Sequence, residues 1–253
     1  PVKLIGIVGD DFPKEGWELF SKYNVNTDMV TIEKGKTFSW GGKYSDDYST
    51  RDTLYTDLGV FENYTPNIPE SVETEYLYLG NIQPSLQLDV INKIKSKQRI
   101  VSDTMNLWID LDLNGLWEVI KLTNIFLLND EEAMQLTGKK DLHQIGKQLL
   151  ESGPDTVIIK KGANGSTLFS SNGIIEMPVY DQIELFDPTG AGDSFAGGLV
   201  GYISKYGEEN IEDALIHATA TASFTVSDFG VTGLTTSSEE SFESRCKYIK
   251  SKL

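Results

Sequence analysis

The chain has a single cysteine, Cys246, among 253 residues, so no internal disulfide can form and a reducing, cytoplasmic setting is expected. Basic residues are also scarce: 22 Lys and Arg stand against 38 Asp and Glu, a formal net charge of −16. A surface of that sign does not neutralise phosphate backbones or anionic headgroups, which argues against nucleic acid and membrane as main partners. A single nucleotide stays compatible, because one local site can hold it. No apolar run approaches the roughly 18 residues of a membrane span. The two histidines, His143 and His217, are far apart and lack metal-ligand spacing, so they read as structural. There is no internal repeat, low-complexity tract or flexible linker.

What is present alternates. "LIGIVG" (Leu4–Gly9) is short, apolar and β-branched, the pattern of a buried strand, and "KEGWELFSKY" has helical spacing. "EYLYLG", "RIVSD", "NIFLLN" and "TVIIKKG" read as strands. "SLQLDVINKIKS", "LNGLWEVIKL", "DEEAMQLTG" and "DLHQIGKQLLES" read as the helices between them. Such alternation predicts an α/β fold whose mostly parallel sheet is covered by helices on both faces. The exception is residues 29–61, rich in Thr, Tyr and Trp and broken by "EKGK", "GGK" and "SDD". That stretch predicts a small antiparallel β lid on a main domain made of residues 1–28 and 62–253. Trp108 and Trp117 are expected in the core.

The densest signal is "DPTGAGDSFAGG" (Asp187–Gly198). "QIELFD" is expected as a strand that Pro188 stops, and "SFAGGLVGYISKYG" as a helix, so the glycines sit where ligands bind in open α/β sheets. The N–H groups of Gly190, Ala191 and Gly192 would then be unpaired and aimed with the helix dipole at one point, an anion site. Asp193 repels a resting anion but suits a group that takes a proton from an attacking nucleophile. It equally suits a plain helix cap.

"DPTGAGDSFAGG" resembles the second signature of the ribokinase-like (PfkB) carbohydrate and nucleoside kinases. "VGDDFPKEG" resembles their G-x-D segment, "NDEEA" their N-x-x-E spacing, and "IIKKGANGS" the strand and turn along the nucleotide. The resemblance runs from about Ile5 to the C-terminal helix. It implies a three-layer α-β-α sandwich with a β-sheet lid, and transfer of the ATP γ-phosphoryl group to a hydroxymethyl oxygen of a sugar or, as runner-up, a nucleoside. Carried over, Asp193 is the general base, and Gly190, Ala191 and Gly192 hold charge on the transferring group. Lys160, Gly162, Gly165, Asn129 and Thr189 face the nucleotide, while Asn129 and Glu132 act through Mg²⁺ and its waters. Glu132 also fits an ordinary acid at a helix start, and Gly162 and Gly165 a hairpin turn. A K⁺ ion near Asp187 and Thr189 is left open. Because Lys160 and Lys161 point to opposite faces, one can reach phosphates while the other lies in solvent.

Asn81, Asp103 and Asn106 follow strand ends and are candidates for the acceptor, with Lys43 and Arg51 from the lid, beside Trp40 and Tyr44. The lid's aromatic face also suggests a homodimer through it. The family's first strand, with its acceptor-anchoring Asp, and its Gly-Gly signature are not upstream of "VGDD". The expectation is therefore that several dozen N-terminal residues of the natural protein are missing. Two further function classes remain. One is a nucleotide-binding regulator without catalysis. The other is a nicotinamide-dependent oxidoreductase, which "GIVGDD" serves poorly because the required glycines are not there.

Overall fold

The computed structural model describes residues 1–45 and 51–253, with Arg51 and Gln98 by backbone alone. It divides the chain into two units: Pro1–Val72 with Asp89–Lys95, and Glu73–Leu88 with Ser96–Leu253.

In the first unit, strand β1 (Val2–Gly9), helix α1 (Lys14–Lys22) and strand β2 (Val25–Glu33) form one β-α-β unit. The two strands pair in parallel from Val2↔Val25 to Gly9↔Glu33. Residues Met29–Glu33, expected at the start of the lid, belong to this parallel pair. Their apolar-polar alternation fits either partner, and nothing local names the strand they meet. β1 is also less hidden than expected: only Gly9 is buried, because a two-stranded sheet whose covering helix buries no residue of its own hides little. Strands β3 (Ser39–Tyr44) and β4 (Arg51–Asp57) pair antiparallel, with an irregularity between Gly41 and Gly42. The antiparallel lid is thus this hairpin, narrower than the expected 29–61. Asp11, in the "GDD" turn, accepts from both the N–H and the hydroxyl of Thr37 at 2.7 Å, and those bonds hold its pKa below the usual aspartate value.

The second unit opens with β5 (Glu73–Leu79) and then α2 (Pro84–Lys93), whose last residues count with the first unit. There follow β6 (Ser96–Asp103), α3 (Asn106–Leu111), α4 (Leu113–Leu122), β7 (Ile125–Asn129), α5 (Asp130–Thr137), α6 (Leu142–Leu150) and β8 (Thr156–Lys160). The chain closes with β9 (Ser166–Ser170), β10 (Gly173–Met177), α7 (Ala191–Tyr206), α8 (Ile211–Val226), α9 (Thr232–Thr236) and α10 (Glu239–Lys250). The sheet order is β10-β9-β8-β7-β6-β5. β5 to β8 are parallel, and β9 and β10 return antiparallel.

Successive side chains of a strand leave on opposite faces, and the core shows it. Ile125, Leu127 and Ile158 pack with Phe195, Leu199, Ala214 and Ile249 of α7, α8 and α10. Phe126, Leu128, Val157 and Ile159 pack with Leu116, Ala133, Ile145 and Leu149 of α4, α5 and α6. The result is the three-layer arrangement read from the alternation. Asp112 and Asp141 cap α4 and α6 by accepting from Gly115 and Gln144 N–H groups.

One predicted strand does not form. Gln182–Asp187 lies outside the ladder, and the N–H groups of Phe186 and Asp187 both donate to the Val226 carbonyl at the end of α8. Flanking Pro178 and Pro188 limit ladder donors on either side.

Candidate active site

α7 starts at Ala191, three residues before the expected start, so Asp193 falls inside its first turn. The start is set by Gly190, whose φ of +80° lies in the left-handed region where glycine carries no steric cost. Below it, Thr225 donates its hydroxyl to Ser194 Oγ at 2.6 Å, and Ser194 donates in turn to the Gly190 carbonyl. The expected trio of free amides is corrected at one place: the Ala191 N–H donates to Pro188 O at 3.1 Å and closes a turn. The N–H groups of Gly190, Gly192 and Asp193 have no acceptor among the described residues. These three orphan donors at the positive end of a 16-residue helix are what an anion needs.

A cation stands beside them. Lys160 ends β8 with its Nζ 3.3 Å from where a Cβ on Gly192 would sit, so any side chain there would press on the ammonium. Lys160 is held by Asp103, at the end of β6, through a 2.6 Å ion pair in which the side chains are 18% and 5% exposed. Burial alone would lower the lysine pKa. The Asp103 charge and hydrogen bond, with Glu132 and Asp193 behind them, reverse that and hold it above its usual value. Asp103 is therefore not presented to a ligand as expected: it is buried, with Oδ2 on Lys160 and Oδ1 accepting from the Thr104 N–H at 2.9 Å.

Asp193 is solvent-exposed at the residue level, yet protein crowds its carboxyl. That burial, then the Asp103 charge, raises its pKa above the ordinary aspartate value, while Lys160 opposes the rise. A carboxylate poised upward in pKa, next to orphan amide donors and an ammonium, can accept a proton while an anion is held.

Asn129 and Glu132 form a reciprocal cap at the start of α5: Glu132 N–H donates to Asn129 Oδ1 at 2.8 Å, and Asn129 N–H to Glu132 Oε2 at 2.7 Å. One oxygen of each is thus committed to the helix. Among the described residues no group of three or more His, Cys, Asp or Glu side chains is close enough to ligate a metal directly.

The remaining candidates separate. Gly162 and Gly165 have φ of +54° and +79°. Gly165 answers to a fold constraint, since a Cβ there would meet the Met177 carbonyl at 2.0 Å, whereas Gly162 faces open space. Lys161 does not lie free in solvent, as it pairs with Glu176 at 2.6 Å. Thr189 donates its N–H to Asp187 Oδ1 at 2.9 Å. Asn81 and Asn106 are both engaged within the fold. Asn81 accepts from the Trp108 indole at 2.8 Å, and Asn106 donates to Gln135, which also donates to Asp110. Trp108 is half-buried outside the core, and Trp117 is half-buried but packs against the core cluster that holds Leu116 and Ile120. Lys43 lies in the first unit, exposed on β3 opposite Asp52, and the Arg51 side chain lies outside the described residues. His143 and His217 pack edge-on or tilted against aromatic rings, Phe169 for the first and Tyr202 and Phe242 for the second.

Gln87 is a residue that no motif or spacing singles out. It is buried, and its amide donates to the carbonyls of Gly80 and Asp103, tying the ends of β5 and β6 together. It lies on the inner face of an amphipathic helix, where a lone amide among Leu and Ile residues was the available signal.

Several known proteins are similar to this chain. A cytidine kinase of Thermococcus kodakarensis is 28% identical over 79% of this chain and 73% of its own length. A nucleoside kinase of Methanocaldococcus jannaschii is 26% identical over 88% and 72%. An E. coli chain provisionally termed ribokinase II, solved with ATP and Mg²⁺, shares the fold with a TM-score of 0.81 at 20% identity, covering 98% of this chain and 83% of that one. The profile of the pfkB family of carbohydrate kinases matches residues 1–237, nearly the whole length, and the chain belongs to that family.

Proposed function

We propose that this kinase transfers the γ-phosphoryl group of ATP to a hydroxymethyl oxygen of a sugar or nucleoside, with Asp193 as general base. The observation that carries the proposal is the meeting of Asp193, the orphan N–H groups of Gly190, Gly192 and Asp193, and Lys160 at one helix start. The amides and the ammonium hold phosphoryl oxygens, and preorganised donors of this kind supply most of the catalysis when the reaction is positioning plus electrostatics. Asp193 takes the proton of the acceptor hydroxyl as its oxygen attacks. Lys160, kept protonated, stays a donor throughout.

Three carboxylates, Asp103, Glu132 and Asp193, act on the single ammonium of Lys160, which makes the site oxygen-rich and net negative. That suits hydrated Mg²⁺. Since Asn129 and Glu132 already spend oxygens on the helix cap, they would hold the ion through its waters. When bound, the ion neutralises phosphate charge. The cytidine and nucleoside kinases among the relatives favour a nucleoside over a free sugar as acceptor. Pairing of two chains through the β3–β4 hairpin belongs to the same reading, with Leu54 and Tyr55 exposed there.

The test is ADP release from Mg·ATP against a panel of pentoses, hexoses and nucleosides, each paired with Asp193→Asn. One acceptor should turn over, with a loss on the order of 10²–10⁴ in the variant and nucleotide binding nearly intact. Activity should also fall as pH drops through the raised Asp193 pKa, because the base is then protonated. Equal loss of binding and turnover in the variant would make Asp193 structural. A silent panel with tight ATP binding would favour a regulator.

A further inference from the structure

Tyr78 lies on β5, on the side of the sheet that packs toward α7 and α8, and its register partner on β6 is Val101, two residues before Asp103. Its ring leans toward the ligand-bearing edge of the sheet. Cε1 is 3.8 Å from where a Cβ on Gly80 would stand, and Gly80 follows the strand's last residue. The hydroxyl is buried and has no hydrogen-bond partner among the described residues. Such a group is withdrawn from bulk water without a protein partner in exchange, a desolvation cost that a ligand oxygen would offset. Its electrostatic surroundings are the site itself. After burial, the charges of Asp103 and Asp193 are what keep the phenol protonated, with its pKa well above the ordinary tyrosine value. A phenol that cannot ionise is a donor at every working pH. Neither carboxylate takes its hydrogen, although both act on it.

We propose that Tyr78 is an acceptor-binding residue whose hydroxyl donates a hydrogen bond to an oxygen of the phosphoryl acceptor held beside Asp193. The proposal rests on the kinase reading above and adds a residue that neither motif spacing nor the resemblance singles out. It also explains the orphan: the bond is made only when an oxygen-bearing ligand arrives, and the desolvation has already been met by the fold. A site built to donate to a ligand oxygen discriminates against analogues lacking it, because the buried donor is then left unpaired.

Tyr78→Phe in the full chain tests this with three measurements. The thermal midpoint should equal or exceed that of the wild type, since the variant removes an unsatisfied group and keeps the ring. The kcat/KM for the acceptor with the highest turnover in the panel should fall on the order of 10-fold, with the KM for ATP unchanged. Among monodeoxy analogues of that acceptor, one should lose activity against the wild type but not against the variant, identifying the oxygen that Tyr78 meets. A lower midpoint with unchanged kcat/KM would assign the hydroxyl to the fold through a bridging water, and a rise in the KM for ATP alone would assign it to the nucleotide. Either result overturns the proposal. If the wild type is silent on the whole panel, the kinase reading fails. The midpoint then decides alone, and a drop in the variant removes the unsatisfied hydroxyl on which the proposal stands.

Discussion

Asp103→Asn tests the electrostatic heart of the site in one atom. The variant keeps the oxygen that accepts from the Thr104 N–H and removes the charge that holds Lys160 at 2.6 Å. Breaking a buried pair by deleting one partner typically costs about 3–5 kcal/mol, because the other charge is left stranded. Glu132 and Asp193 still attract the ammonium, so the low end applies, about 3 kcal/mol. For a chain of this size that is a fall of roughly 6–12 °C in thermal midpoint. Lys160→Met on top of it removes the stranded charge and should restore at least half of the loss, since replacing both partners of a buried pair is often near neutral. The pH sign follows. A lysine whose folded pKa is raised stabilises fully below its unfolded value, and that contribution is lost as pH rises through the folded value. The midpoint deficit of Asp103→Asn should therefore be constant through neutral pH and shrink only in strong alkali. In the same variant the carboxylate that raises the Asp193 pKa is gone, so the acidic limb of kcat/KM should move to lower pH. Thermal scans of the wild type and both variants from pH 6 to about 11, with one pH–rate profile, cover every arm. A loss under about 1 kcal/mol, or a double variant no better than the single, would refute a buried, mutually dependent pair.

The two positive-φ glycines of the β8–β9 turn should part company. Gly162→Ala meets no neighbouring atom and should cost only the left-handed penalty, about 1–2 kcal/mol. Gly165→Ala adds a collision with the Met177 carbonyl and should cost about 2–4 kcal/mol in urea unfolding. Equal costs would mean the turn relaxes freely. At the opposite edge of the sheet, Arg99 donates twice to Asp155 and twice to Glu208, at 2.6 to 3.0 Å. Because these partners are partly exposed, Arg99→Met should cost about 1–2 kcal/mol and leave the KM for ATP unchanged. A shift in that KM would mean the far edge sets the position of α7.

Much of this was written locally. The unbroken apolar runs in "IFLLN" and "TVIIK" mark strands hidden on both faces, Asp141 marks a helix start, and the glycines of "PTGAGD" mark a backbone that must turn left-handed and leave amides free. Each of these depends on neighbours within one turn or one hairpin. The failures share the opposite property. Gln182–Asp187 has a strand's composition, but its two amide donors go to Val226, a partner no local pattern specifies. Met29–Glu33 alternates well enough for either sheet, and only β1 decides which.

The same division runs through the site and explains why its members were legible to different degrees. A general base and an anion turn can share a helix start, so one short motif carries both. The pKa of that base cannot be carried so, because it depends on Asp103 and Lys160, which lie 57 residues apart and are joined only by the parallel stacking of β6, β7 and β8. Sequence position made Asp103 look like a ligand for an acceptor, since acids at strand ends face the binding edge. Its actual surroundings consume both oxygens and turn it inward, where its charge serves Lys160 and burdens Asp193. Tyr78 is the extreme case: in "EYLYLG" it is an aromatic like Tyr76, and what distinguishes it is a buried hydroxyl with no partner among the described residues. A motif thus names the groups that must be adjacent in the chain, while the groups that tune them become visible only through what they are, or are not, bonded to.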